Sequence, residues 1–194
     1  MGLIAKIRAY ARTFRQRRRD APMDLNRLLR RRPLLLCGVS AFEMAQFVSS
    51  KLDTRLKMLA EIKTSTLIGC EFCMDIGSAL SRAFGIRDEQ LYDLSRYQTS
   101  AAFNELERLV LDYSVAVSKT PTDTPVDLLE KLRRHLDEAQ LVELASAIAW
   151  EHYRARFNQA LGVRPAGFSE GAFCVLPERD TPPPAARADR ALGS

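Results

Sequence analysis

The sequence predicts an all-α protein, a bundle of about six to eight helices. Three observations carry this reading. Apolar residues recur at three- and four-residue spacing along most of the chain. The intervening breaks carry helix-capping chemistry, such as Asn104-Glu105-Leu106-Glu107 and Asp137-Glu138-Ala139-Gln140. No convincing alternating run that would mark a strand occurs anywhere.

The chain has 194 residues, 46% of them hydrophobic, which suits one domain with extensions and a substantial core. No internal repeat is evident. The net charge of +5 is uneven: residues 1–32 hold 11 Lys/Arg against 2 Asp, a net +9, so the remainder carries −4. The expected organisation is a basic amphipathic extension (1–32), a helical domain (33–176) and a disordered, proline-rich tail (177–194). Lys6 and Arg8 interrupt any signal-peptide core, and the longest apolar run, 33–42, falls far short of the roughly 20 residues of a membrane helix. Lys6 also stands where a myristoylation signal has Ser or Thr. A soluble, cytoplasmic protein is expected, with peripheral contact to a membrane left open.

In chain order, Leu3, Ile4, Ile7, Tyr10, Ala11 and Phe14 form an apolar stripe with arginines beside it. Such a helix can pack on the domain or a neighbouring subunit, or residues 1–20 can lie on an anionic membrane. Nucleic acid is disfavoured, because no aromatic interleaving or known binding motif accompanies the charge. Asp24 caps a short helix. Pro33 suits the first turn of the next, which runs to about Ser49 and holds Cys37 as an expected core residue. Asp53 or Thr54 opens a helix that Gly69 ends. Another covers 71–84, with a glycine-type stop at Phe84-Gly85-Ile86. Asp88 begins a short helix, Asn104 one to about Ser118, and Thr124-Pro125 one through Leu136, with Pro125 at its first position. The helix from Glu138 to about Leu161 is apolar almost all round, which predicts a central, buried element. Cys174, near the end of the domain, is expected to be buried, with a third redox thiol as the alternative.

The most chemically pointed stretch is Gly69-Cys70-Glu71-Phe72-Cys73-Met74-Asp75. Two thiols three residues apart in a first helical turn lie within disulfide reach, and the helix N-terminus stabilises a thiolate. Redox exchange is therefore the natural use. A structural zinc site needs four ligands, and with no second CxxC and only His135 and His152 it is poorly supplied. An inert buried pair is the third option. No cofactor and no metal are expected.

A dithiol in an all-helical setting brings in a resemblance. Residues 55–94, with Leu59-Ala60-Glu61-Ile62-Lys63, Leu67-Ile68-Gly69-Cys70-Glu71-Phe72-Cys73 and Phe84-Gly85-Ile86-Arg87-Asp88-Glu89-Gln90-Leu91, resemble the carboxymuconolactone decarboxylase family on its AhpD-like alkylhydroperoxidase branch. The helices after Asn104 and Asp137, the second ending Arg156-Phe157-Asn158-Gln159-Ala160-Leu161-Gly162-Val163, are similar too, so the resemblance spans roughly 40–165. It implies an AhpD-like helical fold, a trimeric or hexameric homo-oligomer, and a CxxC that cycles between dithiol and disulfide. The implied partners are a peroxide or disulfide substrate and an external dithiol electron donor. It also implies that Cys73 is the peroxidatic thiol and Cys70 the resolving one. Thioredoxin-style reasoning would reverse the two.

The sequence departs from the AhpD pattern where that pattern moves protons. AhpD histidines correspond to Phe72 and Gly77, and its relay glutamate to Met58. Glu61, one turn nearer the cysteines, is the candidate general base, with an ordinary exposed glutamate as the alternative. His152 is the other acid/base candidate, although a histidine on an apolar face is more often a hydrogen-bonded core residue. Asp75 reads as a first-turn carboxylate stabilising the helix end. Arg156 and Asn158 read as structural. The expected activity is a thiol-dependent peroxidase or disulfide reductase. The alternatives are decarboxylase-like chemistry on a small organic acid or lactone, and a non-catalytic helical oligomer or redox sensor.

Overall fold

Nine α-helices and one 3-10 turn, with no strand, make up the described residues, 2–16 and 24–178, of a computed structural model. The basic run 17–23 and most of the expected disordered tail, 179–194, lie outside the described residues. The helices are α1 (Leu3–Gln16), α2 (Asp24–Leu29), α3 (Pro33–Val48), α4 (Thr54–Ile68), α5 (Glu71–Ala83), α6 (Asp88–Tyr92), α7 (Glu105–Ser118), α8 (Val126–Arg133) and α9 (Glu138–Ala160). The short α2 and α6 lie where Asp24 and Asp88 announce short helices in the sequence. The sequence signals hold at most ends. Asp53 accepts from Arg55 N at 2.7 Å, and Asn104 and Glu107 close a reciprocal capping box at 2.9 Å each way. Asp137 and Gln140 do the same at 2.8 and 2.9 Å. Each cap is worth roughly 1 kcal/mol. Pro125 occupies the cap position of α8 rather than its first helical position.

The axis of the fold is α4, not α9. Twelve of its fifteen residues are buried, and it packs on α5, α7 and α9. Its apolar positions feed two cores. Met58, Leu59 and Ile62 join Met74, Leu80, Phe84 and Leu111. Leu56 and Ala60 join Val110, Leu132, Leu144 and Ile148. Its two lysines are buried as well, which is tolerable only because each is paired. Lys57 pairs with Glu143 and donates to the carbonyls of Gln46 and Ser49 at 3.1 Å each. Lys63 meets Glu178 at 2.5 Å over the ring of Tyr97, and Glu178 N donates to Thr66 O at 2.9 Å, which ties the last described residues across α4.

Other expectations are corrected by burial. α9 buries a single face, while Val142 and Tyr153 are exposed, so its all-round apolarity does not make it central. α3 has no buried residue, and Cys37 on it is exposed rather than in a core. Cys174 is half-buried. In α1 the inward face is Lys6, Ala9, Tyr10 and Thr13, whereas Leu3, Ile4 and Ile7 of the apolar stripe face outward. Lys6 is the reason: its ammonium donates to the carbonyls of Phe47 and Ser49 at 3.1 and 3.3 Å, at the C-terminal end of α3 where unpaired carbonyls await a cation.

Candidate active site

Gly69 ends α4 in the left-handed region (φ 78°), a conformation glycine adopts without strain, and the reversal makes Cys70 the N-cap of α5. Cys70 Sγ accepts from Cys73 N at 3.2 Å. The two cysteines are joined as a disulfide with their Cα atoms 5.2 Å apart. Both are nearly sealed from bulk solvent, Cys70 at 1% and Cys73 at 6% exposure. They pack on Ile68, Phe72 and Ala155.

The two sulfurs are not equivalent. A cavity of 350 Å³ opens beside the pair, and Cys73 lines it while Cys70 does not. Its walls come from six helices, α1 to α5 and α9, together with Phe168. Most of the lining is apolar, including Phe14, Leu29, Ile62, Ile76, Leu80 and Phe157.

Three of the polar lining residues, Glu151, Arg154 and Asn158, follow at helical spacing on one face of α9. Asn158 is buried, and its Nδ2 donates to Cys73 Sγ at 3.5 Å. Arg154 bridges three carboxylates, meeting Glu151 at 2.5 Å and Glu61 and Glu43 at 3.3 Å each. Burial pushes the Glu61 carboxyl above the usual carboxylate range, against the pull of Arg154. The same competition leaves Glu151 at about 7. Arg154 is held firmly charged by its three acidic neighbours. Both carboxyls are thus shifted toward the protonated form relative to carboxyls in water. Four buried polar atoms on the lining, Ser81 Oγ, Glu151 Oε1, Arg154 Nε and Asn158 Oδ1, have no hydrogen-bond partner among the described residues.

Of the residues singled out in the sequence, Cys73 and Glu61 meet in this cavity. Glu61 is buried and ion-paired, not an ordinary exposed glutamate. His152 is not part of the cavity lining: its Nε2 hydrogen-bonds Ser118 Oγ at 2.8 Å, and burial lowers its pKa. Met58, Phe72 and Gly77, the three departures from the AhpD pattern, all line the cavity. At Gly77 an added Cβ would lie 2.8 Å from Ile62 Cδ1, so this packing has no room for a side chain there unless Ile62 moves. Asp75 does not stabilise the helix end. Its buried carboxylate accepts from the backbone N–H groups of Ala166, Phe168 and Ser169 and from Ser169 Oγ, at 2.7 to 3.1 Å. It thereby fixes the loop after α9 and seats Phe168 on Phe72 and Phe14.

Sequence reasoning missed Glu151, Arg154 and Asn158 as site residues. The available signal was their spacing, three polar groups on one stripe of an otherwise apolar helix.

The carboxymuconolactone decarboxylase family model matches residues 33–114. The uncharacterized protein YnjA of Escherichia coli (strain K12) is 31% identical over 130 residues, 67% of this chain and 69% of that protein. Among solved structures, the protein of unknown function ATU0492 from Agrobacterium tumefaciens, a proposed antioxidant defence protein AhpD, is 27% identical with a TM-score of 0.66, covering 70% of this chain and 93% of that one. An uncharacterized peroxidase-related protein from Ralstonia eutropha JMP134 with an alkylhydroperoxidase AhpD core shares the fold at 19% identity and a TM-score of 0.65, covering 73% and 76%. These likenesses agree with a peroxidase-related or decarboxylase-like role. With its helix–Gly-CxxC–helix centre and AhpD-like all-α fold, the chain belongs to the carboxymuconolactone decarboxylase family.

Proposed function

We propose that the protein is a thiol oxidoreductase that reduces hydroperoxides through Cys73 and Cys70. The observation that carries this reading is that Cys73 alone of the pair faces the cavity, with an amide donor at its sulfur and a buried carboxyl pair in the same space. In the reduced enzyme, Glu61 or Glu151 takes the Cys73 proton and the thiolate attacks the terminal peroxide oxygen. The O–O bond breaks, Cys73 becomes a sulfenic acid, and the carboxyl proton goes to the leaving oxygen to give an alcohol. The Cys70 thiol then displaces water from the sulfenic acid and forms the disulfide. An external dithiol reduces that disulfide and leaves as a disulfide itself.

Asn158 Nδ2 favours the thiolate by hydrogen bonding to it. His152, held by Ser118, has no part in this proton path. A decarboxylase-like reading on an organic acid is less well supported, because Arg154, the cation on the described lining, is already shared by three carboxylates. The test is peroxide titration of the reduced protein with thiol counting and mass spectrometry. Reversible loss of two thiols as a Cys70–Cys73 disulfide is expected, and no such loss overturns this reading.

Two surfaces bear on assembly. α3 exposes Leu34, Leu35, Met44 and Val48, which supports packing against further copies of the chain, and a purely monomeric sedimentation profile would exclude it. The outward Leu3, Ile4 and Ile7 beside Arg8, Arg12 and Arg15 support contact with an anionic membrane surface. Equal retention on anionic and neutral vesicles would exclude that contact. No helix among the described residues is long and apolar enough to cross a membrane.

A further inference from the structure

The family match begins at residue 33, yet one wall of the cavity lies before it. Tyr10 and Phe14 of α1 and Leu25, Asn26 and Leu29 of α2 all line the space that Cys73 faces. This wall is docked at several points. Lys6 caps α3. Tyr10 packs edge-on against Phe47 and Phe84, with ring centres 5.1 and 5.8 Å apart. Phe14 meets Phe168 at 5.2 Å, and Asp24 holds Arg164 at 3.0 Å. α1 and α2 are therefore built into the site from two sides, against α3 and against the loop that Asp75 anchors.

The chemistry of the space follows from its lining. Its volume lies in the range of small-molecule sites, far larger than hydrogen peroxide requires. Its walls reward an apolar body. Its charge does not suit an anion, because Arg154 is matched by Glu43, Glu61 and Glu151. Its unpartnered buried atoms, Asn158 Oδ1 beside Cys73 among them, are anchors for a small polar head.

We propose that α1 and α2 form the substrate-selecting wall of the Cys73 cavity, so that Tyr10, Phe14, Leu25, Asn26 and Leu29, all ahead of the family match, decide which apolar hydroperoxide body fits beside Cys73. The hydroperoxide O–H donates to Asn158 Oδ1 and places the terminal oxygen at Cys73, while Phe14 and Leu29 cover the body. This rests on Cys73 being the reacting thiol, but the wall itself can be tested without turnover.

The probe is 2-phenyl-2-propanol, the alcohol left when cumene hydroperoxide is reduced, titrated calorimetrically into the oxidised full chain. One saturable site is expected. Phe14→Ala removes a covering ring at a position already part-exposed, and Asn26→Trp places bulk at the exposed end of the wall, so neither change touches the core. Each is expected to weaken the alcohol at least fivefold, and to lower the ratio of kcat/KM for cumene hydroperoxide to that for hydrogen peroxide at least tenfold. Absence of saturable binding to the unsubstituted chain, or affinities and ratios unchanged in both variants, overturns the proposal. If the alcohol binds and both variants weaken it while no peroxide is turned over, the wall stands and the peroxidase reading falls.

Discussion

The side-chain amide of Asn158 donates to the sulfur of Cys73 at 3.5 Å, across the contact between α9 and the first turn of α5. The bond singles out one cysteine of the pair, and it comes from a residue one turn beyond the arginine that gathers three carboxylates.

Replacing that donor changes the thiol's acidity. In Asn158→Asp a carboxylate faces Cys73, so the thiolate loses a hydrogen bond and gains a repulsive neighbour. The pH midpoint of Cys73 alkylation in the reduced protein is expected to rise by about one unit, or about 1.4 kcal/mol. Asn158→Ala should raise it less. A midpoint unchanged in both variants would remove Asn158 from the thiol's environment.

Glu151 makes stability depend on pH in a defined direction. Its folded-state value of about 7 lies above the ordinary carboxylate value. Below about pH 4 both folded and unfolded chains hold the proton, and its contribution is fully present. As pH rises to about 7 the unfolded chain releases the proton first, so the contribution falls by about 3 kcal/mol. Glu61, shifted the same way, acts in the same sense. Urea unfolding of Glu151→Gln against the unsubstituted protein should show the stability difference changing with pH across this window in favour of the variant. A pH-independent difference would contradict the buried, proton-sharing pair.

Asp75 holds the loop after α9 through four hydrogen bonds. Asp75→Ala leaves three backbone N–H groups without their partner, a loss of about 3 kcal/mol or more. Hydrogen exchange should rise at Ala166, Phe168 and Ser169 before the rest of the domain. Uniform acceleration would mean that Asp75 supports the fold as a whole.

Gly77 stands where AhpD carries a histidine. Gly77→His brings its Cβ against Ile62 and should cost about 1–3 kcal/mol as overpacking. In an Ile62→Ala background the same Gly77→His change should cost less, so the double variant should lose less stability than the sum of the two single variants. Losses that simply add would show that another neighbour blocks the position.

How far the sequence spoke depended on the range of the forces involved. Helix ends were legible because caps are local: Asp53, Asn104, Asp137 and Gly69 act within a few residues of themselves. The cysteine pair was legible for the same reason. Burial was harder. Lys6 and Lys57 look like surface residues until the carbonyls ending α3 and Glu143 are brought to them across the fold. α9 looked like the centre because apolar composition does not say which face meets a neighbour, whereas α4, carrying two lysines and a glutamate, is the buried axis because each charge finds a partner. Glu61 was found because it lies near the cysteines in sequence. Asn158 lies 85 residues from Cys73, and no local pattern joins them.

The central claim is that Cys73 attacks the peroxide and Cys70 resolves it. Its most direct measurement is intact-mass analysis of the two single serine variants, each reduced and exposed to one equivalent of cumene hydroperoxide. Cys70→Ser should retain a sulfenic acid at Cys73, trappable with dimedone, and turn over one equivalent. Cys73→Ser should consume no peroxide and keep its Cys70 thiol. A dimedone adduct on Cys70 in Cys73→Ser, with none on Cys73 in Cys70→Ser, would reverse the roles and contradict the account.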